Sequence, residues 1–156
     1  KEVREKLRVR GIAENGEVPE FIWPVSPSRG LTANFRDPDY PFRRVFEHTG
    51  IDIRTAQGTP IRSAASGYVA IARTGGTRGY GYVMIVHNGG IATVYGHVSK
   101  IFVSPDSFVS QGQVIANSGG LPGTTGAGPF STGAHLHFEV RKDGIPTNPR
   151  NYLGPI

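Results

Sequence analysis

A short segment near the carboxyl-terminal end of the chain carries residues that could bind a metal ion. Residues 133–141 read Gly-Ala-His-Leu-His-Phe-Glu-Val-Arg, with polar and apolar side chains in strict alternation. Because successive side chains of a β-strand point to opposite faces, His135, His137 and Glu139 are expected on one face. Two neutral imidazoles side by side on a rigid strand suit a divalent metal or a general base. A polar strand face with two ordinary solvated histidines is the simpler alternative.

Further candidate ligands precede this segment. His48 and Asp52 lie four residues apart, where Gly50 and its β-branched neighbours favour a loop that enters a strand. A hydrolytic zinc site takes three ligands from His, Asp or Glu and keeps a fourth position for water. Two further histidines could then take up a proton and stabilise an oxyanion, and His97 adds a fourth histidine to this set. The fifth histidine, His87, precedes Asn-Gly-Gly at a turn, where we expect an exposed structural side chain.

The composition indicates the fold class and excludes several functions. A chain of 156 residues predicts one domain with a substantial core, and its 22 glycines and 12 prolines favour a mostly β fold with many turns. The absence of cysteine excludes a disulfide framework, a thiol nucleophile and a Cys-ligated zinc site. No apolar run is long enough to span a bilayer. The net charge of +5 favours an anionic partner, which could be nucleic acid, a membrane surface or an acidic cell-wall polymer, or simply keeps the surface soluble.

Short apolar runs bounded by glycine predict an antiparallel arrangement of strands. The expected strands before the HxH segment are 21–25, 58–65, 67–72, 82–87, 91–97, 102–103 and 111–116. The first of them is expected at an edge because Pro24 cannot donate to a central ladder. Residues 26–44 are interpreted as a long surface loop, although they could also form the wall of a cleft. Residues 119–133 are interpreted as a second long loop, rich in glycine.

The first twenty residues differ from the rest of the chain. Residues 1–10 are highly charged and are expected to be a solvated arm or the end of a longer helix. Residues 11–20 contain Gly, Asn and Pro and are interpreted as a linker. We therefore predict an N-terminal arm over 1–20 and a single folded domain over 21–156. The arm could be the end of a longer upstream region. The chain begins at Lys1 and carries no visible export signal, so we expect that preceding residues have been removed.

These motifs, in this order, resemble the LytM/lysostaphin-type zinc metallopeptidases, peptidase family M23, which are peptidoglycan endopeptidases. The resemblance extends from residue 21 to residue 149. It is carried by Phe21 to Val25, His48-Thr-Gly-Ile-Asp52-Ile53, Gly58 to Ile61, Gly67 to Val69, Tyr95-Gly-His97, Gln111 to Ile115, His135-Leu-His137-Phe-Glu139 and Asn148-Pro149. The resemblance implies a compact, mostly β domain of antiparallel sheets, with lipoyl/biotinyl-type β architecture and long loops that wall a cleft.

The same resemblance implies the roles of individual residues. One zinc ion per chain would be bound by His48, Asp52 and His137. His97 and His135 would act as general base and transition-state stabiliser, in an order that the sequence does not assign. Zinc-bound water, rather than a side chain, would attack the peptide bond.

One segment departs from the family pattern. Members often carry a Phe-Gly-x-Arg-x-His-Pro run before the HxxxD motif, and residues 35–44 of this chain differ from it. The difference affects the expected substrate wall, not the metal site. A basic rim of Arg36, Arg43 and Arg44 could meet the carboxylates of stem peptides, or merely keep the surface soluble.

The leading hypothesis is a monomeric zinc-dependent endopeptidase that cuts peptide cross-links or stem peptides of bacterial peptidoglycan outside the cytoplasm, in the periplasm, the cell envelope or the medium. A catalytically inactive activator or binder of a cell-wall amidase is the alternative. Such relatives usually lack ligands or catalytic histidines, whereas all five positions are present here. A lipoyl-type carrier module is disfavoured because no lysine stands at a hairpin tip as a modification site. Nucleic acid is not an expected partner, since no binding motif accompanies the positive charge.

Overall fold

The structure, a computed structural model, describes residues 2–43 and 48–156. Glycine and proline divide this chain into many short strands, as the composition predicts. The described residues form α1 (Glu2–Val9), β1 (Leu31–Ala33), β2 (Ile51–Arg54), β3 (Pro60–Arg62), β4 (Gly67–Arg73), β5 (Tyr82–Val86), β6 (Ile91–Gly96), β7 (Val98–Ile101), β8 (Phe108–Val109), β9 (Val114–Ser118), β10 (His135–Lys142) and β11 (Ile145–Thr147). The predicted mostly β fold is confirmed. None of the described helices is both long and apolar enough to cross a membrane.

The strands form two antiparallel sheets. The larger sheet has the order β1-β2-β10-β6-β5-β4-β8, and β11 pairs with the far end of β10. The smaller sheet has the order β3-β9-β7. Since β10 lies between β2 and β6, the HxH segment occupies an inner strand of the larger sheet.

The core follows from the alternation of side chains along these inner strands. Leu136, Phe138 and Val140 of β10 are fully buried, and so are Ile51 and Ile53 of β2. The residues between them therefore project from the opposite face of the sheet. The prediction that His135 and His137 share a face opposite the apolar set is confirmed.

Several strand boundaries differ from those expected. The segment 21–25 is not a strand; only single backbone bonds tie it to the domain, from Ile22 N to Ala64 O and from Arg62 N to Pro24 O. Pro24 has no N–H to continue a ladder. Residues 102–103 are likewise outside any strand, because β7 ends at Ile101.

Two other segments need similar corrections. The strand expected at 111–116 is β9, which begins only at Val114 because Gly112 takes a positive φ in the preceding turn. The loop expected over 26–44 contains β1, which pairs with β2.

The N-terminal arm contacts the domain through several side chains, among them Asn88 and Gln111. Ala13 N donates to Asn88 Oδ1 over 2.8 Å, and Asn88 Nδ2 donates to the carbonyl of Glu17 over 3.0 Å. Further along, Gln111 Nε2 donates to the carbonyl of Glu20 over 2.8 Å. The division of the chain at residue 20 remains a prediction, but the arm lies against the domain along its length.

Candidate metal and catalytic site

Three predicted ligands meet at one end of the β2–β10 pair. His137 lies directly opposite Asp52 across the two strands, and paired residues project from the same face. His48 reaches them from the loop before β2. This loop can approach because Gly50 has no side chain; a Cβ there would collide with the carbonyl of Phe138. One ligand atom from each of His48, Asp52 and His137 lies within 4.8 Å of the other two.

The distances inside this cluster suit a small cation. Asp52 Oδ1 lies 2.9 Å from His137 Nδ1 and 3.1 Å from His48 Nε2, and the two imidazole nitrogens are 3.2 Å apart. Ligands about 2.1 Å from a tetrahedral zinc ion lie about 3.4 Å from one another. Two histidines and one carboxylate are also a typical catalytic zinc ligand set. The residues present therefore fit the metal that the sequence predicts.

Hydrogen bonds on the outer side of each ring select the tautomer that can bind a metal. His48 Nδ1 lies 2.8 Å from the carbonyl oxygen of Asn34, which can only accept, so the proton resides on Nδ1 and the lone pair on Nε2. His137 Nε2 lies 2.8 Å from Glu139 Oε2, which leaves the lone pair of Nδ1 toward Asp52. Both lone pairs thus converge with the Asp52 carboxylate.

The electrostatics of the cluster favour positive charge. Burial alone would lower the pKa of His137, but hydrogen bonds to Asp52 and Glu139 outweigh it and raise the pKa to about 9. Burial would raise the pKa of Asp52, but the hydrogen bonds to His137 and His48 hold it well below its usual range. Two carboxylates on either side of one imidazole therefore attract either a proton or a metal ion.

His97 and His135 lie beside the cluster and are not part of it. His97 Nδ1 donates to the carbonyl of Ala127 over 2.7 Å, and His135 Nδ1 donates to the carbonyl of Gly133 over 2.7 Å. The two rings are 4.6 Å apart in an edge-to-face arrangement. His135 Nε2 lies 3.5 Å from Asp52 Oδ1, whereas His97 Nε2 has no hydrogen-bond partner within the described ranges.

The neutral form of His97 is strongly favoured. Burial, assisted by the nearby imidazoles of His135 and His137, lowers the pKa of His97 to about 3. The residue also has a φ of +62°, in a region that non-glycine residues seldom adopt. This conformation follows directly after Gly96, the last residue of β6, and turns the ring toward the cluster. His97 therefore presents the lone pair of its Nε2 beside His48, Asp52 and His137.

A cavity of about 350 Å³ adjoins the three histidines His48, His97 and His137. Aromatic and apolar side chains from two distant loops provide much of its wall. Its remaining lining residues are Tyr40, Thr49, Tyr80, Ala127, Gly128, Pro129, Phe130 and Glu139. A larger groove of about 910 Å³ lies between the N-terminal arm and the domain, but no histidine lines it. The smaller cavity is therefore the one that can present a substrate to the cluster.

Sequence analysis assigned no role to Glu139, although its position on the HxH face was predicted. Its carboxylate accepts hydrogen bonds from Thr49 Oγ1 over 2.9 Å and from Arg141 Nε over 2.9 Å, in addition to that from His137. Burial would raise its pKa, but these partners, chiefly His137, lower it to about 2. The alternation of polar and apolar residues that places His135 and His137 on one face also places Glu139 there, and it was the sequence signal that could have indicated a role for Glu139.

The loop over 26–44 also contributes to the site, so its interpretation as a mere surface loop is wrong. The ring of Tyr40 stacks on that of His48 with centroids 4.3 Å apart. Arg36 lines a small cavity of about 110 Å³ together with His48 and Thr49. Of the expected basic rim, Arg43 is exposed and Arg44 lies outside the described residues.

His87 is buried, contrary to the prediction of an exposed turn residue; only 1% of its surface is accessible. Its Nδ1 donates to the carbonyl of Ser66 over 2.8 Å, and its Nε2 lies 2.7 Å from Thr93 Oγ1. The turn that follows His87 is exposed in part, but the ring folds back beneath the sheet against Phe21. The predicted structural role fits these contacts.

Comparison with known proteins gives a consistent picture. The model of peptidase family M23 matches residues 46–149, about two thirds of the chain. The DD-carboxypeptidase/endopeptidase Mpg of Neisseria meningitidis is 45% identical over 103 residues, which are 65% of this chain and 22% of Mpg. The chain thus spans about a fifth of that relative.

Solved structures show the same fold. A zinc-containing peptidase from Vibrio cholerae superposes with a TM-score of 0.69 at 35% identity, over 83% of this chain and 39% of that one. The SpoIIQ–SpoIIIAH pore-forming complex contains a chain with a TM-score of 0.70 at 26% identity, over 88% of this chain and 92% of that one. The fold is therefore shared by a zinc peptidase and by a component of a pore.

Proposed function

Because the chain belongs to peptidase family M23, we propose that it is a zinc-dependent endopeptidase that hydrolyses peptide cross-links or stem peptides of bacterial peptidoglycan. The observation that carries the proposal is the convergence of three lone-pair donors, His48, Asp52 and His137, beside two further histidines and an open cavity. The similarity to Mpg, a DD-carboxypeptidase/endopeptidase by name, supports a peptidase activity.

Each part of the site has a chemical task in this proposal. His48 Nε2, Asp52 Oδ1 and His137 Nδ1 would hold one zinc ion. A bound zinc ion polarises the scissile carbonyl and lowers the pKa of a water molecule to about 7. Zinc is therefore the expected cofactor, one ion per chain.

The remaining histidines handle protons. The lone pair of His97 or of His135 accepts the proton that the attacking water loses, and the protonated ring can return it to the leaving amine. The other ring can stabilise the charge that develops on the carbonyl oxygen once its Nε2 carries a proton. The carbonyls of Ala127 and Gly133 hold both rings in the required tautomer.

The setting of the enzyme follows from its substrate. Peptidoglycan lies outside the cytoplasmic membrane, so we propose an extracytoplasmic location, and we propose that the chain acts as a monomer. The net charge of +5 fits an anionic wall polymer.

A second function deserves a test because the SpoIIQ–SpoIIIAH pore-forming complex shares the fold. In this alternative the chain is an inactive binder that activates a cell-wall amidase. Against it stand the presence of all five residues and the hydrogen bonds that fix the tautomers of the four histidines.

The deciding experiment measures zinc content together with digestion of purified peptidoglycan, with and without a chelator. One zinc per chain and chelator-sensitive cleavage are expected, and the product masses identify the bond. A zinc-loaded chain that cleaves no wall preparation but stimulates an amidase supports the alternative. A chain that binds no zinc contradicts the metal site.

A further inference from the structure

Tyr80 is held next to the catalytic histidines by three independent contacts. It lies in the glycine-rich turn between β4 and β5, where its backbone pairs with that of Ala127. Ala127 is also the residue whose carbonyl anchors His97. The Tyr80 ring packs edge-to-face against His97 with centroids 4.9 Å apart, and it stacks on Tyr82 at 5.6 Å. The phenol therefore has a fixed position relative to His97.

The hydroxyl end of this ring occupies a place vacated by a glycine. Gly96 pairs directly with His137 across β6 and β10, so a side chain at residue 96 would project beside the His137 ring. A Cβ on Gly96 would overlap the Tyr80 hydroxyl. The absence of a side chain at residue 96 thus lets the phenolic oxygen enter the face of the sheet that carries the metal ligands.

The Tyr80 hydroxyl has no hydrogen-bond partner among residues 2–43 and 48–156, although its ring lines the cavity shared with His97 and His137. Burial raises the pKa of Tyr80 well above 10, and the negative charges of Glu139 and Asp52 raise it further. The group consequently keeps its proton and can donate a hydrogen bond.

The N–H and O–H donors of four other residues on the cavity wall are already used. The ring N–H groups of His48, His97 and His137 are donated to Asn34, Ala127 and Glu139 respectively. The hydroxyl of Thr49 is donated to Glu139. The side chains around the cluster therefore offer lone pairs, while a reacting carbonyl oxygen needs a donor. The Tyr80 hydroxyl can supply one before either His97 or His135 has taken up a proton.

We infer that the Tyr80 hydroxyl is a catalytic group that donates a hydrogen bond to the carbonyl oxygen of the scissile peptide bond as negative charge develops there. This inference rests on the proposed endopeptidase function. The interaction strengthens from the ground state to the transition state, because the oxygen gains charge while the donor stays in place. No proton is transferred from the phenol, so its role is distinct from those of His97 and His135.

The test compares Tyr80→Phe with Tyr82→Phe. Tyr80→Phe keeps the ring contacts to His97 and Tyr82 and removes only the hydroxyl. We expect kcat to fall about 10²-fold, within the range for loss of one oxyanion donor, with KM and zinc content little changed. Tyr82→Phe removes the hydroxyl of the stacked neighbour outside the cavity and is expected to retain wild-type kinetics. Thermal unfolding of both variants checks that the fold is intact.

A tetrahedral inhibitor provides a second measurement. A phosphinate analogue of the cleaved peptide should bind Tyr80→Phe more weakly by about the same factor as the loss in kcat, while an uncleaved product peptide should bind both proteins alike. If the wild type is active and Tyr80→Phe has the same kcat and the same affinity for the phosphinate, this inference is wrong but the proposed function stands. A zinc-loaded wild type that cleaves no peptidoglycan overturns the proposed function, and this inference with it.

Discussion

Two kinds of buried histidine occur in this molecule, and burial does not distinguish them. His48 and His87 each have 1% of their surface accessible. His87 has both ring nitrogens in hydrogen bonds, to Ser66 and Thr93. His48 donates one N–H to the backbone and turns its other nitrogen toward a carboxylate and a second imidazole. The two histidines therefore do not differ in how deeply they are buried. They differ in whether one ring nitrogen faces other candidate metal ligands, as it does in His48.

The surroundings of His87 and of His137 also differ in whether they favour a positively charged ring. Burial lowers the pKa of His87 to about 4, and its backbone bond to Ser66 opposes this only in part. The carboxylates of Asp52 and Glu139 raise the pKa of His137 to about 9 despite burial. The sheet interior around His87 therefore excludes positive charge, whereas the position of His137 between Asp52 and Glu139 attracts it. This contrast can be tested by substitution in both regions.

The largest effect is expected at the three ligands. His48→Ala, Asp52→Ala or His137→Ala should lose zinc and activity together, with a fall in rate on the order of 10³-fold or more, since the metal provides several kcal/mol of transition-state stabilisation. His87→Gln should keep its zinc. Metal analysis of the purified variants and peptidoglycan digestion provide the measurements. Full zinc occupancy in a ligand variant would show that the ligand assignment is wrong.

A smaller but still large effect is expected at the two neighbouring histidines. His97→Ala or His135→Ala should retain zinc and lower kcat by about 10²–10⁴-fold, the usual value of positioned acid–base groups. Steady-state kinetics on a defined cross-linked peptide, with zinc content measured in parallel, distinguish these variants from the ligand variants. Unchanged turnover in both would contradict their proposed roles.

Glu139 should affect the metal without touching it. Glu139→Ala removes the acceptor of the His137 N–H and should weaken zinc binding about 10–100-fold. Glu139→Gln keeps an oxygen that can accept the same bond, so we expect a smaller loss. Competition with a calibrated zinc chelator measures both affinities. An unaltered zinc affinity in Glu139→Ala would show that Asp52 and His48 suffice to orient the ring.

The parts of the site that lie within one strand could be predicted from the sequence. Alternation placed His135, His137 and Glu139 on one face, because a β-strand has a side-chain period of two. The fold class followed from short apolar runs and abundant glycine. Residue type and spacing indicated His48, Asp52 and His97 as further candidates, and the resemblance to family M23 implied their roles. The structure brings all five residues together.

The parts that depend on distant segments could not be predicted in this way. Tyr40 and Tyr80 reach the cavity from two loops that the strands β2, β3 and β4 separate in the chain. No local sequence pattern indicates where such loops meet. The burial of His87 was missed for the same reason: its neighbours Ser66 and Thr93 belong to other segments, and the adjacent Asn-Gly-Gly turn suggested exposure. The apolar composition of residues 21–25 predicts a strand, but isolated backbone hydrogen bonds, rather than a ladder, join this segment to the described domain.

The smallest expected effect is the pH dependence that His87, the structural histidine, gives to the free energy of unfolding. The pKa of His87 is about 4 in the folded protein and about 6.5 in an unfolded chain. Between these values the unfolded chain binds more protons, so the free energy of unfolding falls as the pH is lowered through this window. The full loss is about 3 kcal/mol. Urea unfolding of the metal-free wild type and of metal-free His87→Gln, at pH 7 and pH 4.5, isolates this contribution from that of the cleft. The wild type should lose more stability than the variant, and parallel losses would mean that the His87 ring can hold a proton inside the sheet.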